Sequence, residues 1–194
     1  MKKHLLWTLI VLTIFVHSCT AQSFLIEKGS HYPKPNPINY HSGVTEMARE
    51  VTFDSSCVYR LFTPDDSDIN KLFGWGVGLF GSRHSVRIGW NCKSNTGIDL
   101  YAYIHFNGRR WVIPKDSLIV GKGQLIGSGF QTNVSIECYM ARSDSSIIFE
   151  CSQGLRVAKY QFKFANFPKG SGWYQYPYFG GTSVAPKQMK ILIK

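Results

Sequence analysis

"HSVRIGWNCKSNTGIDLYAYIHFNGRRW", residues 84–111, carries the strongest structural pattern in the chain. Val86, Ile88, Trp90, Leu100, Ala102 and Ile104 share one parity of two short runs, while Arg87, Tyr101, Tyr103 and His105 share the other. Such alternation marks β-strands with one face in a core. With the Lys-Ser-Asn-Thr-Gly stretch as the connecting loop, Val86 faces Ile104, Ile88 faces Ala102 and Trp90 faces Leu100. On the other side Arg87 faces Tyr103, Gly89 faces Tyr101 and Ser85 faces His105. Apolar meets apolar at every step, which supports this register. Asn107-Gly108, the strongest two-residue hairpin signal, then returns Arg110 beside His105.

The same pattern extends along the chain. Strands are expected at 84–92, 98–106, 109–114, 132–141, 146–151, 155–164, 173–179 and 188–193, after an opening strand in "REVTFD". Low charge (18%), 14% aromatic residues and 18 glycines suit strands joined by tight turns. "TPDDSDINKLFGWG" is the exception. Pro64 in a first turn, acidic residues at the amino end and Gly74 and Gly76 as stops predict one short helix near 64–73. The expected fold is therefore all-β: a single-domain antiparallel β-sandwich, jelly-roll-like, with that one helix. A chain of 194 residues suits one such domain.

The amino end reads as an export signal over residues 1–21, with Lys2 and Lys3 ahead of the apolar run "LLWTLIVLTIFV". Two processing routes stay open. "VHSC" resembles a lipobox, which would lipidate Cys19 and anchor the protein to a membrane; the other route is cleavage after Ala21. Residues 22–46, with Pro33, Pro35 and Pro37, are expected to form an extended leader or tether, leaving 47–194 as the sandwich. Beyond Cys19, an even count of cysteines (Cys57, Cys92, Cys138 and Cys151) permits two disulfides in an oxidising compartment, with the pairing open. None forms a CxxC, so no zinc ribbon is expected, and neither a metal nor another cofactor.

Losing Lys2 and Lys3 leaves 20 of the 22 basic residues against 12 acidic ones, a surface suited to acidic polysaccharide or cell-envelope glycan. Export argues against nucleic acid as a partner. A second hairpin, "NVSIECYMARSDSSIIFEC", puts Glu137, Tyr139 and Glu150 on one face in either of two registers. One register sets Glu137 opposite Glu150; a shift by two sets Cys138 opposite Cys151 and Tyr139 opposite Glu150. Arg87, Tyr101, Tyr103, His105, Arg110 and Tyr139 are the candidate ligand-binding residues. Arg87, Tyr103, His105, Glu137 and Glu150 are the weaker catalytic candidates. Paired carboxylates serve glycoside hydrolysis, whereas Arg with His and Tyr serves uronate β-elimination.

"NKLFGWGVGLFGSRHSVRIGW", "IDLYAYIHFNGRR" and "YPYFGGTSVAPKQMKILI" resemble segments of a group of uncharacterised exported bacterial β-sandwich proteins, over about residues 47–194. The "YFGG…AP…I.I" ending is the most recognisable part. The resemblance implies a jelly-roll-like sandwich and no established activity. The residues themselves favour a protein that binds glycan or anionic envelope polymer through a basic, aromatic sheet face. A lyase or hydrolase using that face is the alternative, followed by a non-catalytic interaction module of a surface assembly. Trp173, Tyr174, Tyr176, Tyr178 and Phe179 offer further surface on which sugar rings could stack. No GxSxG, HExxH, P-loop or dinucleotide motif is present.

Overall fold

A computed structural model describes residues 20–79, 83–92, 97–110, 124–163 and 166–194. The signal segment, with Cys19, lies outside them. Among the described residues fourteen strands occur, in chain order β1 (Gln22–Ile26), β2 (Pro33–Lys34), β3 (Tyr40–His41), β4 (Glu46–Phe53), β5 (Asn70–Val77), β6 (His84–Asn91), β7 (Ile98–Phe106), β8 (Arg109–Arg110), β9 (Gln124–Phe130), β10 (Ile136–Arg142), β11 (Ser146–Gln153), β12 (Arg156–Lys163), β13 (Gly172–Gln175) and β14 (Met189–Ile193). They form two antiparallel sheets. Sheet one runs β12-β11-β10-β4-β14-β1-β2, and sheet two runs β3-β13-β5-β6-β7-β8, with β9 also paired to β7. The chain is a β-sandwich: the inner faces of the two sheets, including Phe53, Trp75, Trp90, Phe130 and Phe149, share one buried cluster.

The register expected for the 84–111 hairpin is the one observed, from Ser85 opposite His105 to Trp90 opposite Leu100. His105 stands opposite Arg110, across a turn in which both Asn107 and Gly108 have positive φ. In the second hairpin the shifted register holds: Cys138 is opposite Cys151 and Tyr139 opposite Glu150. Residues 111–114 of the strand expected at 109–114 lie outside the described residues.

Two expectations are corrected. Residues 22–46 do not form a tether. β1 pairs along its full length with β14, and Phe24 and Ile26 enter the core. β2 and β3 add an edge to each sheet. The prolines mark short edge pairings here, where a missing N–H is tolerated. The helix near 64–73 is also absent. Pro64–Ser67 makes one 3-10 turn, and Asn70 already begins β5. Pairing with β6 and β13 overrides the local helix signals. Gly74, read as a stop, serves close strand approach: a Cβ on it would lie 2.0 Å from the Val86 carbonyl oxygen.

All four cysteines beyond Cys19 are buried free thiols. Burial pushes the Cys57 thiol up to about 12 and raises that of Cys92, while a hydrogen bond with Cys151, together with burial, raises that of Cys138, so these are poor nucleophiles.

Candidate functional site

In β6 and β7 the residues that avoid the core are Ser85, Arg87, Gly89, Tyr101, Tyr103 and His105. On an ordinary outer sheet face they would be wet. Instead Ser85 is fully buried, Tyr103 is 1% exposed and Arg87 only 8%. The cover comes from three parts of the chain. Ile69 packs down over Gly89, where a Cβ would meet its methyl at 2.4 Å. Lys71 leaves β5 on this side, just before a bulge in the β5–β6 register. The segment after β13 returns alongside, with Lys71 and Tyr178 exchanging backbone hydrogen bonds of 2.9 Å in both directions.

An aromatic wall rises on these supports. The Lys71 ammonium lies 4.5 Å from the centroid of the Tyr178 ring and 5.6 Å from that of Tyr103. His31 stacks on Tyr178 at 5.3 Å, and Tyr32 meets it edge-on at 5.2 Å. His31 Nδ1 lies 2.9 Å from the Phe179 carbonyl oxygen, which ties the amino-terminal segment to the carboxyl-terminal one. Between these walls a cleft of about 350 Å³ opens, with Arg87, His105, Lys71, Gln175 and Tyr178 among its lining residues. That volume suits a small ligand or one or two sugar rings.

Arg87 is the anomaly. Its Nε–H is buried without an acceptor, and no carboxylate among the described residues pairs with the guanidinium. Burial pulls its pKa down to about 10, with Tyr103 partly opposing the shift, so it remains charged at neutral pH. An uncompensated buried charge costs several kcal/mol. The hydroxyl of Ser85, one step along the same face, also lacks a partner. The indoles of Trp75 and Trp90 share that condition in the core, but they are neutral. Beside Arg87, the Tyr103 hydroxyl and His105 Nε2 are 3.2 Å apart.

The other candidates divide. Tyr101 shares the Arg87 face, but its hydroxyl donates to Asn91 (3.2 Å), and burial raises its pKa. Arg110 is placed beside His105 by its backbone. Glu137, Tyr139 and Glu150 lie on sheet one, whereas Arg87 is on sheet two, so no single face gathers the whole set. There the carboxylates are exposed and already partnered. Ser152 donates to Glu137 (3.2 Å), Lys159 pairs with Glu150 (3.2 Å) and Tyr139 donates to Glu46 (3.1 Å). Glu137 stands opposite Glu50 and Ser152, not opposite Glu150.

Lys71, Tyr32 and His31 were not among the sequence candidates. Lys71 was hidden in the expected helix and the other two in the expected tether; Tyr178 belonged to the flagged aromatic stretch. No group of three or more metal-binding side chains occurs among the described residues. Nor does any helix there have the length and apolarity to cross a membrane.

No protein-family model matches the chain, and no curated protein sequence matches it. Solved structures do. An alginate lyase from Klebsiella pneumoniae aligns with TM-score 0.50 and 6% identity, over 78% of this chain and 58% of the lyase. A carbohydrate-binding module, CBM66 from Bacillus subtilis, aligns with TM-score 0.42 and 8% identity, over 79% and 73% of the two chains. The CBM2 module of the evolved Dit protein of Lactobacillus casei BL23 phage J-1 gives 0.41 and 10%, over 89% and 67%. At 6% identity the likeness to the lyase speaks for the fold alone.

Proposed function

We propose that this chain is an exported protein that binds carboxylate-bearing polysaccharide in the cleft on the outer face of sheet two. The carrying observation is Arg87, a buried guanidinium with no carboxylate paired to it among the described residues. A uronate carboxylate supplies the missing charge and can engage two N–H groups at once. Tyr178 and Tyr32 form the adjoining wall, and sugar rings pack on such aromatic surfaces. Lys71 adds a second cation at the same mouth. Isothermal titration of the mature chain with alginate, polygalacturonate and a neutral glucan tests this reading. Alginate is included because it is named for the lyase of like fold. Binding of an acidic polymer, lost in Arg87→Gln and absent for the glucan, supports it. Equal retention of all three, or of none, overturns it and leaves an interaction module.

One observation favours a catalytic version of the same site. The Tyr103–His105 pair lies on the Arg87 face and is suited to handle a proton. In β-elimination one of the pair would take the proton next to the uronate carboxylate while Arg87 holds the enolate charge. The C–O bond to the neighbouring sugar then breaks, its oxygen receives a proton, and an unsaturated product remains. Ultraviolet absorbance during incubation with each polymer reads that product directly. Hydrolysis by Glu137 and Glu150 would use a separate cleft of about 400 Å³ on sheet one, where Ser152 and Lys159 already engage the two carboxylates. Mass spectrometry of the mature amino end distinguishes a lipidated Cys19 from cleavage after Ala21.

A further inference from the structure

β4 contains an inversion of the usual pattern. Met47, Val51 and Phe53 point inward and are buried, yet the inward position between Met47 and Val51 holds Arg49. Glu46 lies three residues before Arg49 and Glu50 directly after it, but neither forms an ion pair with it. Glu46 and Glu50 belong to the other parity and are engaged by Tyr139 and Ser135. The hydrogen bond of the Arg49 guanidinium goes to the backbone carbonyl of its neighbour Ala48, at 2.7 Å. Arg49 lines a second cleft, of about 520 Å³, whose walls include Ile38, Tyr40, Tyr174 and Tyr176, and it also borders a cleft on sheet one shared with Glu50, Glu137 and Glu150. Tyr40 is 59% exposed, and its ring meets Trp173 edge-on at 5.5 Å.

This cleft adjoins the one at Arg87. Tyr174, Gln175 and Tyr176 line both, and the chain from Asn36 to Tyr40 contributes to each. The pairing of β13 with β5 explains how. Tyr174 stands opposite the core residue Trp75 and faces the sandwich interior, whereas Gln175 stands opposite Gly74 and faces the Arg87 side. Asn39 Nδ2 donates to the Tyr176 hydroxyl at 2.5 Å, which fixes the seam between the two segments.

We infer that Arg49 and Tyr40 form a second carboxylate-and-sugar subsite, so that the protein reads several units of an acidic polysaccharide rather than one. The inference rests on the binding function proposed above. Two cationic positions on either side of one aromatic seam reward a polymer with repeated carboxylates, since the second contact is intramolecular once the first is made.

Isothermal titration with galacturonate and mannuronate, each as the single sugar and as the hexamer, tests it on the mature chain. The wild type should bind one of the hexamers at least tenfold more tightly than its single sugar. Arg49→Gln should remove most of that gain while leaving the single-sugar affinity unchanged; Tyr40→Ala, at an exposed position, should do the same. Arg87→Gln should weaken single sugar and hexamer alike. If both Arg49→Gln and Tyr40→Ala keep the wild-type ratio of hexamer to single-sugar affinity, the second subsite is wrong and the Arg87 reading stands. If the wild type binds neither series, the Arg87 reading fails, and the subsite with it.

Discussion

The outer faces of the two sheets carry similar residue types and treat them oppositely. On sheet one, Glu46, Glu50, Glu137 and Glu150 are at or near the surface, and each has a hydroxyl or ammonium partner. Such pairs are close to neutral in stability. On sheet two, Arg87 and Ser85 are covered by protein, and the Arg87 Nε–H and the Ser85 hydroxyl find no partner among the described residues. The first face is satisfied by its own chain. The second leaves a buried charge unanswered among the described residues. Residue type alone does not separate the two cases; burial joined to satisfaction does.

The largest effect should come from Arg87. Titration of Arg87→Gln should show acidic-polymer affinity falling by roughly a hundredfold or more, as for loss of one member of a buried charge pair. Arg87→Lys should recover only part of it, since a point charge cannot replace a planar fork. Tyr178→Ala should lower affinity by about 3–10-fold, the scale of one aromatic contact. If Tyr178→Ala costs as much as Arg87→Gln, stacking rather than charge defines the face.

A pH series sharpens the same contrast. Affinity should stay level from about pH 6 to pH 9, fall below about pH 4 as sugar carboxylates protonate, and fall again above about 10 as Arg87 loses its proton. The sign for the unliganded fold is the reverse. The folded chain holds the Arg87 proton less tightly than the unfolded chain, where the guanidinium keeps its ordinary, higher pKa. Buried charge therefore opposes folding below about 10, and that opposition is relieved as pH rises through it. The difference in stability between wild type and Arg87→Gln, followed by denaturant titration, isolates this contribution. The smallest effect belongs to sheet one. Glu137→Gln with Glu150→Gln should change affinity less than about twofold and stability within about 0.5 kcal/mol. A larger loss of binding would shift the site to the other face.

Much of this architecture was legible in the sequence. Alternation plus the Asn-Gly turn specify the β6–β7–β8 register residue by residue, because a one-residue slip would turn Trp90 and Ile104 outward. What escaped depends on distant pairing. Phe24 and Ile26 alternate over too short a run to announce a strand, and β14, at the other end of the chain, supplies the partner. The Pro64 turn and its acidic residues are real local signals, yet β5 obeys β6 and β13 instead. The site was half visible for the same reason. Shared parity grouped Arg87, Tyr103 and His105, but their burial comes from Ile69, Lys71 and the segment around Tyr178. That cover turns a polar row into a charged cavity wall.

The most direct test pairs two readings on Arg87→Met, which keeps the bulk and removes the charge. If Arg87 is held ready for a ligand carboxylate, the unliganded variant should be more stable by about 1–3 kcal/mol, or roughly 2–12 °C in Tm for a domain of this size. The same variant should no longer bind acidic polysaccharide. A variant that melts lower than the wild type, or one that still binds, would show that Arg87 serves the fold and not a ligand.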